Sequence, residues 1–242
     1  MQPTGAAHEL ARRVTAPLAA LDAVFAGPTQ LPALTGSLRI GGPADLLGTL
    51  VLPALTPLLA LHLRLVVTTG LADALLGQLL AGELDVAISA VRPSGRDIEF
   101  EPLYDEQFVL VAAPRWATRG LSDQQALADV PLLAFSPDLP IVRRYWRAVF
   151  RARIGRVAAV TVPDLRALRD LAIAGAGMSV LPTYLVRTAL ATGELVQLHR
   201  PTEAPRNTLY LCTRASGPSA SGPSVARIDA VRGTLLNAAS SW

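Results

Sequence analysis

Ser37-Leu-Arg-Ile-Gly-Gly42, His62-Leu-Arg-Leu-Val-Val-Thr68 and Gly82-Glu-Leu-Asp-Val-Ala-Ile88 are short runs of strand-forming residues, separated by two longer apolar segments. Strands alternating with segments of helical length make two βαβ units that share a middle strand. A crossover of that length returns the next strand parallel, through a right-handed connection. In an open sheet of this kind ligands sit outside the carboxyl ends of the strands, where the helices begin. The loops at those points are Gly41-Gly-Pro-Ala-Asp45 and Thr69-Gly-Leu-Ala-Asp73. The stretch reads as one half of a two-lobed receptor for a small molecule.

Working outward, Asp45 stands where a side-chain cap of the first helix belongs, and Asp73 holds the same place before the second. The first helix carries leucine and valine around nearly its whole circumference, so it is expected to face the sheet on one side and a second subunit on the other. Leu50 and Leu58 are the expected subunit contacts on that helix, and Pro53 should kink it. Residues 46–63 carry no formal charge, a length that could span a bilayer. Pro53, Pro57 and His62, with a β-like end, favour a buried helix followed by a strand. Upstream, Leu10, Val14, Leu18 and Leu21 form one apolar stripe on a helix within residues 1–27, an expected oligomerisation arm.

Downstream, residues 99–104 and 108–113 read as strands with Asp105-Glu106 as the turn between them. A second alternating set follows: strands at 132–135, 156–162, 178–181 and 195–198, helices at 139–151, 164–174 and 183–191. A strand at 206–213 and a helix at 225–237 close the chain. The β runs 108–113 and 208–213 then pass between the sets as a double hinge. The expected fold is α/β, with two Rossmann-like lobes joined by two hinge strands. Lobe I comprises residues 36–108 plus 208–242, and lobe II residues 109–207. A ligand cleft belongs between the lobes.

Composition narrows the function. Of 242 residues, 51% are hydrophobic and 17% charged, enough apolar material for two cores. The net charge is only +3, although every basic side chain is arginine, and this modest surplus is no nucleic-acid footprint. Cys212 alone allows no internal disulfide and fits a reducing compartment, and the first ten residues do not have the form of a secretory signal. A cytoplasmic protein with no membrane partner is expected.

No catalytic set emerges. His8, His62 and His199 lie in different elements without metal-ligand spacing, so neither metal nor cofactor is expected. Ala174-Gly-Ala-Gly-Met-Ser-Val180 has a helix before its glycines and a strand after, the reverse of a phosphate-binding loop. It reads as a helix C-cap and tight turn. Arg143, Arg147 and Arg151, with Arg144 adjacent, make a basic helix face, read as solvated or as an anion contact. The stronger candidates are the helix-initiating loops: Gly42, Pro43, Ala44 and Asp45; Gly70 and Leu71; Ser136; and Pro163 and Asp164. Backbone N–H groups at helix starts favour carboxylates and other anions.

An ordered set of pieces resembles the effector-binding region of LysR-type transcriptional regulators. They are Gly36-Ser-Leu-Arg-Ile-Gly41, Leu52-Pro53, Leu80-Ala-Gly-Glu-Leu-Asp-Val-Ala-Ile88, Pro102-Leu-Tyr-Asp-Glu-Gln-Phe-Val-Leu-Val111 and Ala174-Gly-Ala-Gly-Met-Ser-Val-Leu-Pro182. Pro3-Thr-Gly-Ala-Ala-His-Glu-Leu10 is similar to the junction between that family's winged helix-turn-helix and its linker helix. The resemblance implies a small-molecule effector in the interlobe cleft, homodimers or homotetramers, and DNA contact only through a domain outside these residues. It also implies that Asp45 stands where the family often presents a hydroxyl to the effector, and that Leu71 makes one wall apolar. The alternative is a solute-binding receptor of a transporter, which shares the two-lobed architecture.

Overall fold

The three runs within residues 37–88 are parallel neighbours. The computed structural model describes residues 34–117, 127–215 and 222–242. In it β1 (Gly36–Gly42), β2 (Leu63–Thr69) and β3 (Val86–Ser89) pair in the order β2-β1-β3. Arg39 ties β1 to the lead-in of β3: its guanidinium donates to both Asp85 oxygens, at 3.1 and 2.5 Å, and its backbone N–H donates to Asp85 at 2.8 Å. That gives the aspartate of the 80–88 motif a structural task.

The first helix, α1, is broken into Ala44–Leu46, a π-helical turn Leu47–Val51, Leu52–Ala54 and Thr56–Ala60. Pro53 has no N–H and its ring crowds the carbonyl four residues back; the widened turn, with Leu52 N–H donating to Leu47 O, relieves that crowding. Leu46, Leu47, Val51 and Leu55 are fully buried. Leu58, expected as a subunit contact, is a correction: at 7% exposure its side chain is used inside this chain's own core. Leu50 is partly buried against the same core. Leu10, Val14, Leu18 and Leu21 lie outside the described residues. On the other face of the sheet, α2 (Ala72–Leu80) buries Leu75 and Leu79 against Leu84, Ile98 and Cys212.

Residues 98–112 are another correction. The expected turn at Asp105-Glu106 does not exist: β4 (Ile98–Ala112) runs unbroken. Its first part pairs antiparallel with β9 (Arg206–Arg214) down to Gln107↔Arg206. From Phe108 onward it pairs with β7 (Met178–Pro182), and near its end also with β8 (Val196–Gln197). The polar pair is tolerated in the middle of a strand because this is where β4 leaves one half and enters the other, facing the space between them.

A bulge at Leu103 prepares that passage: Pro102 faces Tyr210 and Tyr104 faces Leu209, leaving Leu103 without a partner of its own. The extra residue flips the side-chain alternation. Before it, Ile98 and Phe100 face the α2 layer while Glu101 reaches Arg232 of α6 (Pro223–Ala239). After it, Tyr104 packs edge-on against Trp242, just beyond α6, and Glu106 follows on the same face.

In the second half, β5 (Leu133–Ala134) pairs parallel with β6 (Val160–Thr161), and a Leu132–Met178 bridge joins them to β7. The strand expected at 156–162 thus contracts to two residues. Each half places its strands in the same relative order, β2-β1-β3-β9-β4 and β6-β5-β7-β4-β8, with the antiparallel fourth strand supplied by the crossing pair. Formally β4 makes seven strands one sheet; physically it is two α/β halves sharing a ribbon. The second half has α3 (Pro140–Val149) on one face, with α4 (Leu165–Ile173) and α5 (Thr183–Thr192) on the other.

The 174–180 glycine run ends α4 as expected. Ala176 N–H donates to Leu171 O at 2.9 Å while Gly175 takes the left-handed conformation at φ +79°. Gly177 lies so close to Pro131 that a side chain would run into its carbonyl. No helix among the described residues is long and apolar enough to cross a membrane, and 46–63 is divided between α1 and β2.

Candidate functional site

A cavity of about 530 Å³ lies between the halves, where the carboxyl ends of β1 and β2 face the helix starts of the second half. Its apolar wall includes Leu71, Ile88, Phe108, Phe135, Ile141 and Leu209. Leu71 is 68% exposed at the mouth. The crossing ribbon forms the floor, through Glu106 on β4 and Asn207 on β9.

Of the residues expected from sequence, Pro43, Ala44, Asp45, Gly70, Leu71, Pro163 and Asp164 line this cavity. Gly42 and Ser136 do not. Gly42 is buried one residue too early, against Leu47 and Ile88. The Ser136 carbonyl accepts from Leu139 N–H at 3.0 Å, and the cavity begins at neighbouring Phe135 instead.

The aspartates at the helix starts behave differently from one another. Asp164 does cap α4, accepting from Arg166 N–H at 2.9 Å and from the Arg166 guanidinium at 3.0 and 2.7 Å. Those hydrogen bonds hold its carboxyl below its ordinary range. Asp45 and Asp73 make no capping bond: Pro43 and Leu71 are the N-cap residues. Asp45 points across the cleft, where Tyr184 at the start of α5 donates its hydroxyl at 2.5 Å, joining positions 139 apart in sequence across the two halves. Both side chains are buried, at 7% and 6% exposure.

Glu106 is the second buried carboxyl of the site. It accepts from Asn207 Nδ2 at 2.9 Å and lies near the same Tyr184 phenol, whose single proton is given to Asp45. Burial pushes the Glu106 carboxyl up to about 7; the Asp45 charge adds to the rise, while Asn207 and Arg144 oppose it. Burial first, then the charges of Asp45 and Glu106, keeps the Tyr184 phenol protonated far above its usual range.

Arg144 faces the cleft rather than sharing the outer basic face. Its guanidinium donates to Arg206 O and, at 3.1 Å, to Asn207 Oδ1, pinning α3 to the ribbon. Tyr145 also lines the cavity; its buried hydroxyl approaches the Leu110 backbone without completing a well-formed hydrogen bond, and burial pushes it up to about 12.

Sequence reading missed Glu106, Tyr184 and Asn207 as site residues, and placed Arg144 with the basic helix face rather than in the cleft. Glu106 left only a misleading signal, since the polar run Asp105-Glu106-Gln107 reads locally as a turn. Among the described residues no three His, Cys, Asp or Glu side chains gather as a metal site. Burial pushes the Cys212 thiol up to about 12, which keeps it from acting as a thiolate at neutral pH. The arrangement can hold and orient a small molecule: an apolar chamber with a polar corner, closed by a hydrogen bond between its two walls.

Residues 33–227 match the LysR substrate binding domain family. The chain is 39% identical over 249 residues to the HTH-type transcriptional regulator AbaB of Streptomyces antibioticus, covering 99% of this chain and 81% of that protein. Among solved structures, ArgP of Mycobacterium tuberculosis superposes with a TM-score of 0.73 at 24% identity, covering 95% of this chain and 74% of that one. Full-length LysG of Corynebacterium glutamicum, described with bound effector Arg, superposes with a TM-score of 0.68 at 20% identity, covering 98% and 79%.

Proposed function

The chain belongs to the LysR substrate-binding domain family, and from that premise we propose that the cavity between its halves is where a small effector metabolite is held. The chain is a ligand-sensing regulatory domain of a LysR-type transcription regulator, a class of regulators rather than enzymes. The named relatives give no support to a transporter receptor.

The observation that carries the assignment of the site is the 530 Å³ chamber walled by both halves and spanned by the Asp45–Tyr184 hydrogen bond. A molecule seated there touches α1, α3 and the crossing ribbon together. Its affinity therefore depends on the angle between the halves, and only such a difference in affinity can shift their arrangement. The effector contacts come from Pro43, Ala44, Asp45, Gly70, Leu71, Pro163 and Asp164, joined by Glu106, Tyr184 and Asn207. Copies of the chain associate through the stretch 1–27, whose sequence carries the apolar stripe Leu10, Val14, Leu18 and Leu21. DNA is contacted through a helix-turn-helix segment outside these residues, in the cytoplasm.

The test is thermal unfolding with fractionated small-molecule cell extract. A ligand at a hundredfold excess over its Kd stabilises by about 2.7 kcal/mol, roughly 5–10 °C in Tm for a chain of this size. Replacing Leu71 and Ile141 by Trp fills the chamber and abolishes the shift. Stabilisation that survives both replacements would place the ligand elsewhere.

A further inference from the structure

Resting on the reading of the cleft as the effector site, we infer that its effector is a cation: a molecule with an amine or guanidinium head between Asp45 and Glu106 and an apolar body against Leu71, Phe135 and Ile141. Three observations carry this. Two carboxyl groups, on residues each 7% exposed, meet at one corner of a mainly apolar chamber. Between them they receive one phenol proton and one amide donor, which leaves acceptor capacity facing the cavity. Arg144, the sole cation lining the chamber among the described residues, is already engaged with Arg206 O and Asn207 Oδ1.

The helix starts argue in the same direction. Ordinarily their free N–H groups would draw an anion. Here α1 and α2 bring Asp45 and Asp73 in their first turns, and α3 opens on Pro140, which has no N–H. The Asp164 side chain occupies the start of α4. The starts of α1, α2 and α4 thus each carry an acid, and that of α3 offers one N–H fewer. An anionic effector would thus meet two buried carboxyl groups with little positive charge to offset them, whereas a cation meets complementary charge out of bulk water.

A proton count adds an independent handle. Glu106 is drawn up to about 7, and the groups facing it are Asp45 on α1, Arg144 on α3, Tyr184 on α5 and Asn207 on β9. A bound cation favours its ionised form, so binding below pH 7 releases up to about one proton.

The experiment is isothermal titration calorimetry of the 242-residue chain with two matched series: L-arginine, agmatine and phenethylamine, against glutarate and 3-phenylpropionate. At least one cation is expected to bind, to bind about tenfold or more weakly to Asp45→Asn and to Glu106→Gln, and to release protons at pH 6.5 in buffers of different ionisation enthalpy. If Asp45→Asn does not fold by circular dichroism, Glu106→Gln and the wild-type proton count decide. Preferential binding of the carboxylates, or cation binding indifferent to both substitutions, overturns the charge assignment and leaves the cleft reading intact. So does a neutral ligand from the extract, with both series silent. Silence of both series and of the extract overturns the two together.

Discussion

Replacing Tyr184 by Phe removes one oxygen from the boundary between the halves and nothing else. The ring keeps its edge contact with Tyr104 at 6.2 Å between centroids, so packing is preserved. What is lost is the donor to Asp45 at 2.5 Å, leaving a buried carboxylate without that partner. A hydrogen bond to a charged group contributes about 1.5–3 kcal/mol. For a chain of this length that corresponds to roughly 3–12 °C in Tm. Equilibrium urea unfolding of wild type, Tyr184→Phe, Asp45→Ala and the double variant isolates the pair, because neither single variant keeps the bond and the cycle subtracts what each side chain does alone. A coupling of about 1.5 kcal/mol or more is expected. Additivity within about 0.5 kcal/mol, with Tm unchanged in Tyr184→Phe, would refute the idea that this bond fastens the halves together.

Two further outcomes follow from the same geometry. Glu106 is raised from 4.5 to about 7 on folding, so the folded protein binds its proton more tightly than the unfolded chain. Its contribution, about 3 kcal/mol, is complete below pH 4.5 and lost as pH rises through 7; Glu106→Gln should flatten that part of a stability-against-pH curve measured by urea titration. At Gly177 a methyl group would come within 2.9 Å of the Pro131 carbonyl carbon and closer to its oxygen, while at Gly48 it would meet nothing within 4 Å. Gly177→Ala should therefore cost more than about 2 kcal/mol and Gly48→Ala should be neutral or stabilising by up to about 1 kcal/mol, read from denaturant midpoints.

The parallel strands within residues 37–88 were legible because their apolar runs are bounded by glycine and by segments of helical length. The turn after α4 was legible too, since Gly175 and Gly177 stand between a helical pattern and a strand. The crossing strand was not. A strand that leaves one core, borders a cleft and enters another loses its hydrophobic pattern where it is unshielded, so Asp105-Glu106 imitated a turn. The bulge at Leu103, which directs Glu106 to the cleft, has no local signature either. Asp45 occupied a capping position by every local rule, yet its partner lies on another half. Local spacing places a carboxylate on a helix start; it does not reveal a phenol brought there by the topology.

β4 and β9 cross between the halves hydrogen-bonded to each other, not as two separate strings. A flat band of two strands flexes readily out of its own plane but resists being stretched, sheared or swung edgewise. A change in the angle between the halves that keeps this pairing therefore has to bend or twist the ribbon about residues 105–107 and 206–208. Whatever occupies the chamber can report itself to the rest of the molecule through how far that ribbon is bent or twisted.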